Sequence, residues 1–150
     1  MNQDTKNLIE DLFPPGFGDL SLMNKEIISI YGSLKSIFPA IFVNAANGKR
    51  IFNFCGWRPQ NCIAGAKNSP HKQGLALDLH MPTKAQNEHL YDYMLKVGYS
   101  THGFTRMEDR KVTIDQSKGG GWVHVDIVPL TDVQKGRTAQ IINGIYVFMP

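Results

Sequence analysis

The stretch SPHKQGLALDLH, residues 69–80, carries two histidines and an aspartate, side chains that can bind a metal ion. Turn-forming residues, Gly74 among them, precede an apolar run that predicts a strand. Side chains two residues apart on a strand project from the same face, so Asp78 and His80 are expected to project together. His71 precedes this strand and is expected on a loop beside it.

A second stretch, WVHVDI at residues 122–127, places His124 and Asp126 on one face of another predicted strand. A loop and two strands can therefore bring His71, Asp78 and His124 to one ion. Two histidines and one aspartate, with a fourth position left for water, form the ligand set expected of catalytic zinc. The competing hypothesis is that these are ordinary polar residues on a solvated face of a sheet.

The elements that must position these residues follow from the spacing of apolar residues along the chain. Helices are predicted over residues 3–13, 21–38 and 83–98. Strands are predicted over residues 50–57, 75–80, 100–107 and 121–130, with residues 108–121 as a hairpin or exposed loop and residues 144–150 closing the sheet. This mixture predicts an α+β fold, with helices flanking a mostly antiparallel sheet.

The composition predicts one domain of 150 residues, with a helical N-terminal part at 1–38 and a zinc-site core at 50–130. The net charge of +3 comes without a Lys/Arg cluster interleaved with aromatics, so no nucleic-acid partner is expected. No apolar run approaches the ~20 residues that span a bilayer. The N-terminus lacks the pattern of a signal peptide, so synthesis in the cytoplasm is expected. Cys55 and Cys62 flank a turn-rich loop and are expected to be reduced.

Three blocks of the chain resemble the M15 zinc peptidases. SPHKQGLALDL matches the family's S-x-H-x-x-G-x-A-x-D motif, and WVHVDI resembles its second signature, a strand carrying H-x-D. Upstream, FCGWRPQNCIAGAKNSPH resembles the family's strand, Gly-aromatic-Arg and loop. The resemblance runs in the right order over about half of the chain, from Ile51 to Ile127. It implies a fold like that of hedgehog proteins and D-Ala-D-Ala peptidases.

The resemblance implies His71, Asp78 and His124 as ligands of Zn²⁺. It also implies that Arg58 binds the carbonyl or carboxylate of the substrate, as a guanidinium near the metal can do. Four further side chains are assigned around them. They are Asp126 and Ser69, which would support the ligands, and Trp57 and Trp122, which would contact the substrate.

The general base is where the chain departs from the family. Many members carry a Glu three residues before the last zinc histidine, and here that residue is Gly121. Others carry a His two residues before it, and here that residue is Trp122. The best remaining candidate is His80, followed by His102. Weaker candidates are Glu108, Asp109 and Asp115.

The resemblance implies a zinc-dependent peptidase that cleaves peptidoglycan stem peptides, as a D-Ala-D-Ala carboxypeptidase or a murein endopeptidase. A bacteriophage origin would suit such a chain, either as an endolysin that reaches the cell wall after release or as a virion component with other virion proteins as partners. The alternative from another class is a non-catalytic zinc-binding module that binds wall peptides or serves in assembly. A zinc hydrolase with a non-peptide substrate is a third hypothesis.

Overall fold

The computed structural model describes residues 2–130, 138–142 and 145–148. Within them the chain forms helices and strands joined by short 3-10 and π-helical turns. The helices are α1 Gln3–Leu12, α2 Lys25–Ile37, α3 Lys84–Tyr93 and α4 Tyr99–His102. The strands are β1 Ala45–Ala46, β2 Lys49–Arg50, β3 Ala76–Leu79, β4 Arg106–Glu108, β5 Val123–Asp126, β6 Thr138–Ile142 and β7 Ile145–Phe148.

Five strands form the principal sheet, in the order β3-β5-β4-β6-β7, while β1 and β2 pair separately as a hairpin. Strand β5 lies between β3 and β4 and runs antiparallel to both. β6 is parallel to β4 and antiparallel to β7. The fold therefore mixes helices with a mostly antiparallel sheet, which confirms the predicted α+β class. Of the predicted closing strand, residues 144, 149 and 150 lie outside the described residues.

Side-chain caps define where the helices begin. The Asn24 carboxamide oxygen accepts a hydrogen bond from the Glu26 N–H, so α2 begins at Lys25 rather than at residue 21 as predicted. α3 begins with a reciprocal capping box, in which Thr83 and Gln86 each bind the other's backbone N–H. These bonds satisfy N–H groups that have no partner inside the helix.

The hydrophobic core lies between the helices and one face of the sheet. Ile27, Tyr31 and Leu34 form the buried stripe of α2, at the spacing of one helix face. Val123 and Val125 of β5 enter the same core, as their alternation predicted. The opposite face of β5 therefore presents its polar residues away from the hydrophobic core, toward the site described below.

The prediction of a strand over residues 50–57 was wrong. Only Lys49 and Arg50 lie in β2, and the residues that follow are irregular. Their N–H groups find partners outside any sheet: those of Ile51 and Phe52 both donate to the Asn44 carbonyl. An aromatic-rich run has high strand propensity, but here loop contacts satisfy its backbone instead.

Two other boundaries differ. Residues 100–102, predicted as the start of a strand, belong to α4, and β4 begins only at Arg106. The predicted hairpin or loop at 108–121 contains the last residue of β4 and a π-helical turn, Lys111–Asp115. Among the described residues, α2 is the longest helix with 13 residues, and no helix has the length and apolar character needed to cross a bilayer.

Candidate metal centre

The site lies on the polar face of the sheet, where the register of three strands aligns its residues. Asp78 of β3 is directly opposite His124 of β5. Asp126 of β5 is opposite Arg106 of β4. Continuing that register by one residue places Glu108 across from His124. Because alternate residues share a face, all five side chains belong to the same side of the sheet.

His71 reaches this face from a 3-10 turn, Pro70–Gln73, just before β3. The turn ends at Gly74, whose φ of 68° lies in the left-handed region. A Cβ at this position would lie 2.3 Å from the Leu22 carbonyl oxygen, so the position requires glycine. The tight turn brings the His71 ring alongside β3, which explains why a glycine separates His71 from Asp78 in the sequence.

Hydrogen bonds fix which nitrogen of His71 faces the centre. Its Nδ1 lies 2.8 Å from the Gly56 carbonyl oxygen, which can only accept, so Nδ1 carries the proton. The Nε2 lone pair is then directed at Asp78, 3.4 Å from Oδ1. A backbone carbonyl that holds the outer nitrogen of a histidine is the usual support of a metal ligand.

His124 is held in the complementary way. Its Nε2 lies 3.2 Å from Asp126 Oδ2, and its Nδ1 lies 2.8 Å from Asp78 Oδ1. The Asp126 carboxylate is fully buried and accepts three hydrogen bonds from the Arg106 guanidinium, at 2.7 to 3.1 Å. Asp126 therefore orients His124 so that Nδ1 faces His71 and Asp78, while Arg106 holds Asp126 in place.

His71, Asp78 and His124 form a group that could hold a metal ion, and we call these three residues the ligand group. One ligand atom from each lies within 4.8 Å of the other two. Ligand atoms around tetrahedral zinc are separated by about 3.4 Å, since each lies ~2.0–2.1 Å from the ion. The His71–Asp78 separation of 3.4 Å already matches this value, and the His124–Asp78 hydrogen bond of 2.8 Å would open by about half an ångström. The donor set and its geometry therefore fit such an ion.

The charge balance of the group also suits a cation. Burial alone would lower the pKa of His124, but hydrogen bonds to Asp126 and Asp78 raise it to about 10. Burial lowers the pKa of His71, which favours the neutral form of its ring. Burial would raise the pKa of Asp78, but the two histidines hold it well below its usual range. The ion-free centre thus keeps one proton on His124, and a divalent cation would take that proton's place.

Arg58 reaches the centre from the irregular segment after β2. The Trp57 N–H donates to the Leu12 carbonyl at the end of α1, and the Arg58 N–H donates to the His71 carbonyl. The guanidinium then pairs with Asp78, with Nη2 at 3.0 Å from Oδ2. Arg58 is thereby placed beside the ligand group.

A cavity of about 560 Å³, which we call the cleft, opens in front of the ligand group. Its volume is suited to a small substrate. Its walls combine both charge signs with polar and aromatic side chains. They include Arg58, Asn68, Ser69, His71, Gln73, Asp78, Arg106, Glu108, Trp122 and His124. Ser69 and Trp122 therefore lie at the cleft.

The structure does not bring Trp57 or the two favoured proton carriers, His80 and His102, into the wall of the cleft. Trp57 packs in the core, with its ring 5.8 Å from that of Phe13. His80 follows the last residue of β3, and its ring stacks on that of Phe52 at 4.3 Å between ring centroids. His102 ends α4 and hydrogen-bonds the hydroxyl of a tyrosine on α3, 3.0 Å away.

The three weaker candidates for the general base differ in whether they line the cleft. Asp109 accepts the Lys111 N–H and Asp115 pairs with Arg110, and neither lines the cleft. Glu108 does line it. Sequence reasoning did not predict Arg106 at the cleft and ranked Glu108 low. The available signal was the alternation of polar and apolar residues in RME, which places both charged side chains on one face of a strand.

Gly121, which stands where many M15 members carry a Glu, has a backbone that disfavours any side chain. Its φ is 84°, and a Cβ would lie 2.7 Å from the Thr113 carbonyl oxygen.

The two cysteines are free thiols, and Cys55 Sγ lies 3.2 Å from His80 Nε2.

Models of known protein families give no match to this chain, and neither curated proteins nor solved structures yield a similar protein. The likeness to M15 peptidases therefore depends on the three sequence blocks alone. What the structure adds is a His-His-Asp group that could hold a metal ion, at the wall of an open cleft.

Proposed function

We propose that the protein is a zinc-dependent peptidase that cleaves the stem peptides of peptidoglycan, as a D-Ala-D-Ala carboxypeptidase or a murein endopeptidase. The observation that carries the proposal is the orientation of the two histidines. Each has its outer nitrogen bound to an acceptor and its inner nitrogen directed at Asp78. Two imidazole nitrogens and one carboxylate, beside an open cleft, are the ligand set of catalytic zinc.

When bound, zinc would supply Lewis acidity, which polarises a peptide carbonyl and makes a coordinated water more acidic. His71, Asp78 and His124 would hold the ion through Nε2, a carboxylate oxygen and Nδ1. Asp126 and Arg106, both buried, keep His124 from rotating. A fixed ligand geometry matters because displacements of about 1 Å can cost ~10²-fold in rate.

Arg58 supplies the positive charge of the cleft nearest to the ligand group. Its guanidinium can hold the terminal carboxylate of a peptide or stabilise negative charge on a carbonyl oxygen. The pairing with Asp78 and a second hydrogen bond, from Nε to the Phe54 carbonyl, fix its orientation. This tether leaves other N–H groups of the guanidinium for a substrate.

The substrate class and the fold family are supported by the M15 resemblance. An α+β domain whose antiparallel sheet carries metal ligands on neighbouring strands is also what a hedgehog-like or D-Ala-D-Ala-peptidase-like fold would provide. The net charge of +3 favours approach to an anionic cell-wall polymer. A bacteriophage lytic enzyme or a wall-cutting virion component would combine these properties.

A second candidate is a non-catalytic zinc-binding module of the same fold, which binds wall peptides. Gly121 favours it, because the carboxylate that many M15 peptidases carry at that position is absent. The two candidates differ in one measurable respect: the module would bind zinc and stem peptide without cutting any bond.

The test is digestion of purified peptidoglycan by the zinc-loaded protein, with mass analysis of the soluble fragments. We expect one type of peptide bond to be cut, loss of cutting with a chelator, and recovery on addition of zinc. His71→Ala should be inactive, whereas His89→Ala, which changes a histidine of α3 outside the cleft, should match the wild type. Cutting that resists the chelator would contradict the proposal, and zinc-dependent peptide binding without cutting would favour the module.

A further inference from the structure

Glu108 is a carboxylate in the wall of the cleft that the ligand group does not use. It is the last residue of β4, next to β5, and continuing the register of the two strands places it across from His124. Its neighbour Met107 points into the core, so Glu108 points to the polar face with Arg106. Only 6% of the residue is exposed.

Glu108 differs in its partners from the other two carboxylates on this face of the sheet. Asp78 pairs with Arg58 at 3.0 Å, and Asp126 pairs with Arg106 at 2.7 Å. Among the described residues, no hydrogen bond or ion pair engages the Glu108 side chain. A largely buried carboxylate without a partner is costly for the fold, so its presence in a cleft indicates a functional role.

Glu108 stands close to the ligand group without belonging to it. The set of side chains whose ligand atoms lie within 4.8 Å of one another contains His71, Asp78 and His124 but, in the described part of the chain, not Glu108. A carboxylate in this position is too far to complete the ligand set, yet it faces the same space. A carboxylate that faces the cleft in this way can exchange protons with a water or substrate bound there.

The surroundings of Glu108 favour its protonated form more than water would. Burial is the main cause, and it raises the pKa of the carboxyl group above its ordinary value. The charges that face it are His124 of β5 and Asp78 of β3, together with Arg106 and Asp109 on its own segment.

We propose that Glu108 is the general base of the cleft, supplied by β4 in place of the residue missing at Gly121. This inference rests on the proposed peptidase function. Glu108 accepts a proton from the attacking water while the water oxygen bonds to the scissile carbonyl carbon and the carbonyl electron pair moves to its oxygen. Glu108 then gives that proton to the leaving nitrogen as the carbon–nitrogen bond breaks, which restores the carboxylate and yields an acid and an amine.

The experiment compares Glu108→Gln and Glu108→Asp with Glu10→Gln, a matched control on an exposed position of α1. Three quantities are measured: zinc content, turnover of the peptide substrate, and affinity of the cobalt-loaded protein for acetohydroxamate. A hydroxamic acid binds a metal as its anion and releases a proton, which a neighbouring base takes up. Its affinity therefore reports on the base even if no peptide is cut.

We expect all three variants to retain one zinc. In Glu108→Gln, turnover should fall by about 10²-fold or more with little change in KM, and acetohydroxamate affinity should fall by about tenfold. Glu108→Asp should recover part of both, and Glu10→Gln should match the wild type. Loss of zinc from the Glu108 variants, or unchanged hydroxamate affinity in Glu108→Gln, would overturn the inference. If the wild type cuts no peptide, the proposed function fails, and the hydroxamate arm still decides the role of Glu108.

Discussion

Replacing Asp126 with Asn tests the support of the ligand group without touching a ligand. The Asp126 carboxylate is fully buried, lies 3.2 Å from His124 Nε2 and accepts three hydrogen bonds from Arg106. An amide of the same shape keeps one oxygen acceptor but turns an N–H group toward other donors. It also leaves the Arg106 guanidinium, 8% exposed, without its counter-charge.

Two effects of different size follow from this change. Loss of the orienting carboxylate should lower zinc affinity by about 10- to 100-fold, the usual effect of removing the partner of a ligand histidine. Breaking a buried ion pair should lower the free energy of unfolding by about 3–5 kcal/mol. The second effect is the larger, since 100-fold in affinity corresponds to about 2.7 kcal/mol. The variant must therefore be studied at a temperature at which it is folded.

The assay is zinc affinity by chelator competition, with urea unfolding of the ion-free protein measured in parallel. The matched control is Asp115→Asn, which breaks the half-exposed ion pair with Arg110. The control should lose at most about 1 kcal/mol of stability and keep its zinc affinity. A folded Asp126→Asn protein with zinc affinity within twofold of the wild type would refute the orienting role of Asp126.

Three further predictions concern Arg58, Asp11 and Tyr31. Arg58→Ala should lower peptide turnover by about 10²-fold with zinc retained, because it removes a positioned cation; turnover within twofold of wild type would exclude Arg58 from the reaction. Asp11→Ala should lower the free energy of unfolding by about 3 kcal/mol or more, because Asp11 Oδ1 accepts the N–H groups of residues 43–45, each at 2.9 Å; urea unfolding measures this, and a loss below about 1 kcal/mol would contradict it. Burial, and then the neighbouring Asp11, raise the pKa of Tyr31 above 10, so the folded protein holds the phenolic proton more tightly than the unfolded chain does. The stability that Tyr31 adds is therefore complete below about pH 10 and declines above it, and the difference between wild type and Tyr31→Phe in urea unfolding should shrink there rather than stay constant.

The ligand group could be predicted because its determinants are local. Alternation along a strand places Asp78 on one face of β3 and His124 on one face of β5, whatever lies beside them. The glycine-containing turn between His71 and Asp78 has a signature in the sequence as well. The structure adds to these patterns the antiparallel register that sets Asp78 opposite His124.

The rest of the site depends on contacts between distant parts of the chain. Arg106 and Glu108 join the cleft because β4 lies next to β5, an order of strands that no local pattern specifies. His80 lies two residues after Asp78, so the alternation of a strand predicts the same face for both side chains. However, β3 ends at Leu79, and the His80 imidazole stacks on Phe52. Alternation predicts the sheet face on which a side chain lies only as far as the strand itself continues.

The segment after β2 illustrates the same limit. Its aromatic composition predicts a strand, yet it is fixed by partners far along the chain. Asp11 of α1 holds the N–H of Asn44, and the Asn44 side chain accepts the N–H of Cys55, at 3.0 Å. The next residue is Gly56, whose carbonyl holds His71. The helix α1 thereby positions His71 through a series of hydrogen bonds that only the folded structure reveals.

Zinc stoichiometry in single alanine variants tests the central claim most directly. Elemental analysis of the purified proteins should find one zinc per chain in the wild type, and also in His80→Ala and His102→Ala, whose side chains lie outside the ligand group. The metal should be lost from His71→Ala, Asp78→Ala and His124→Ala. Full zinc occupancy in the three ligand variants, or loss of zinc from the two controls, would contradict the assignment of the metal centre.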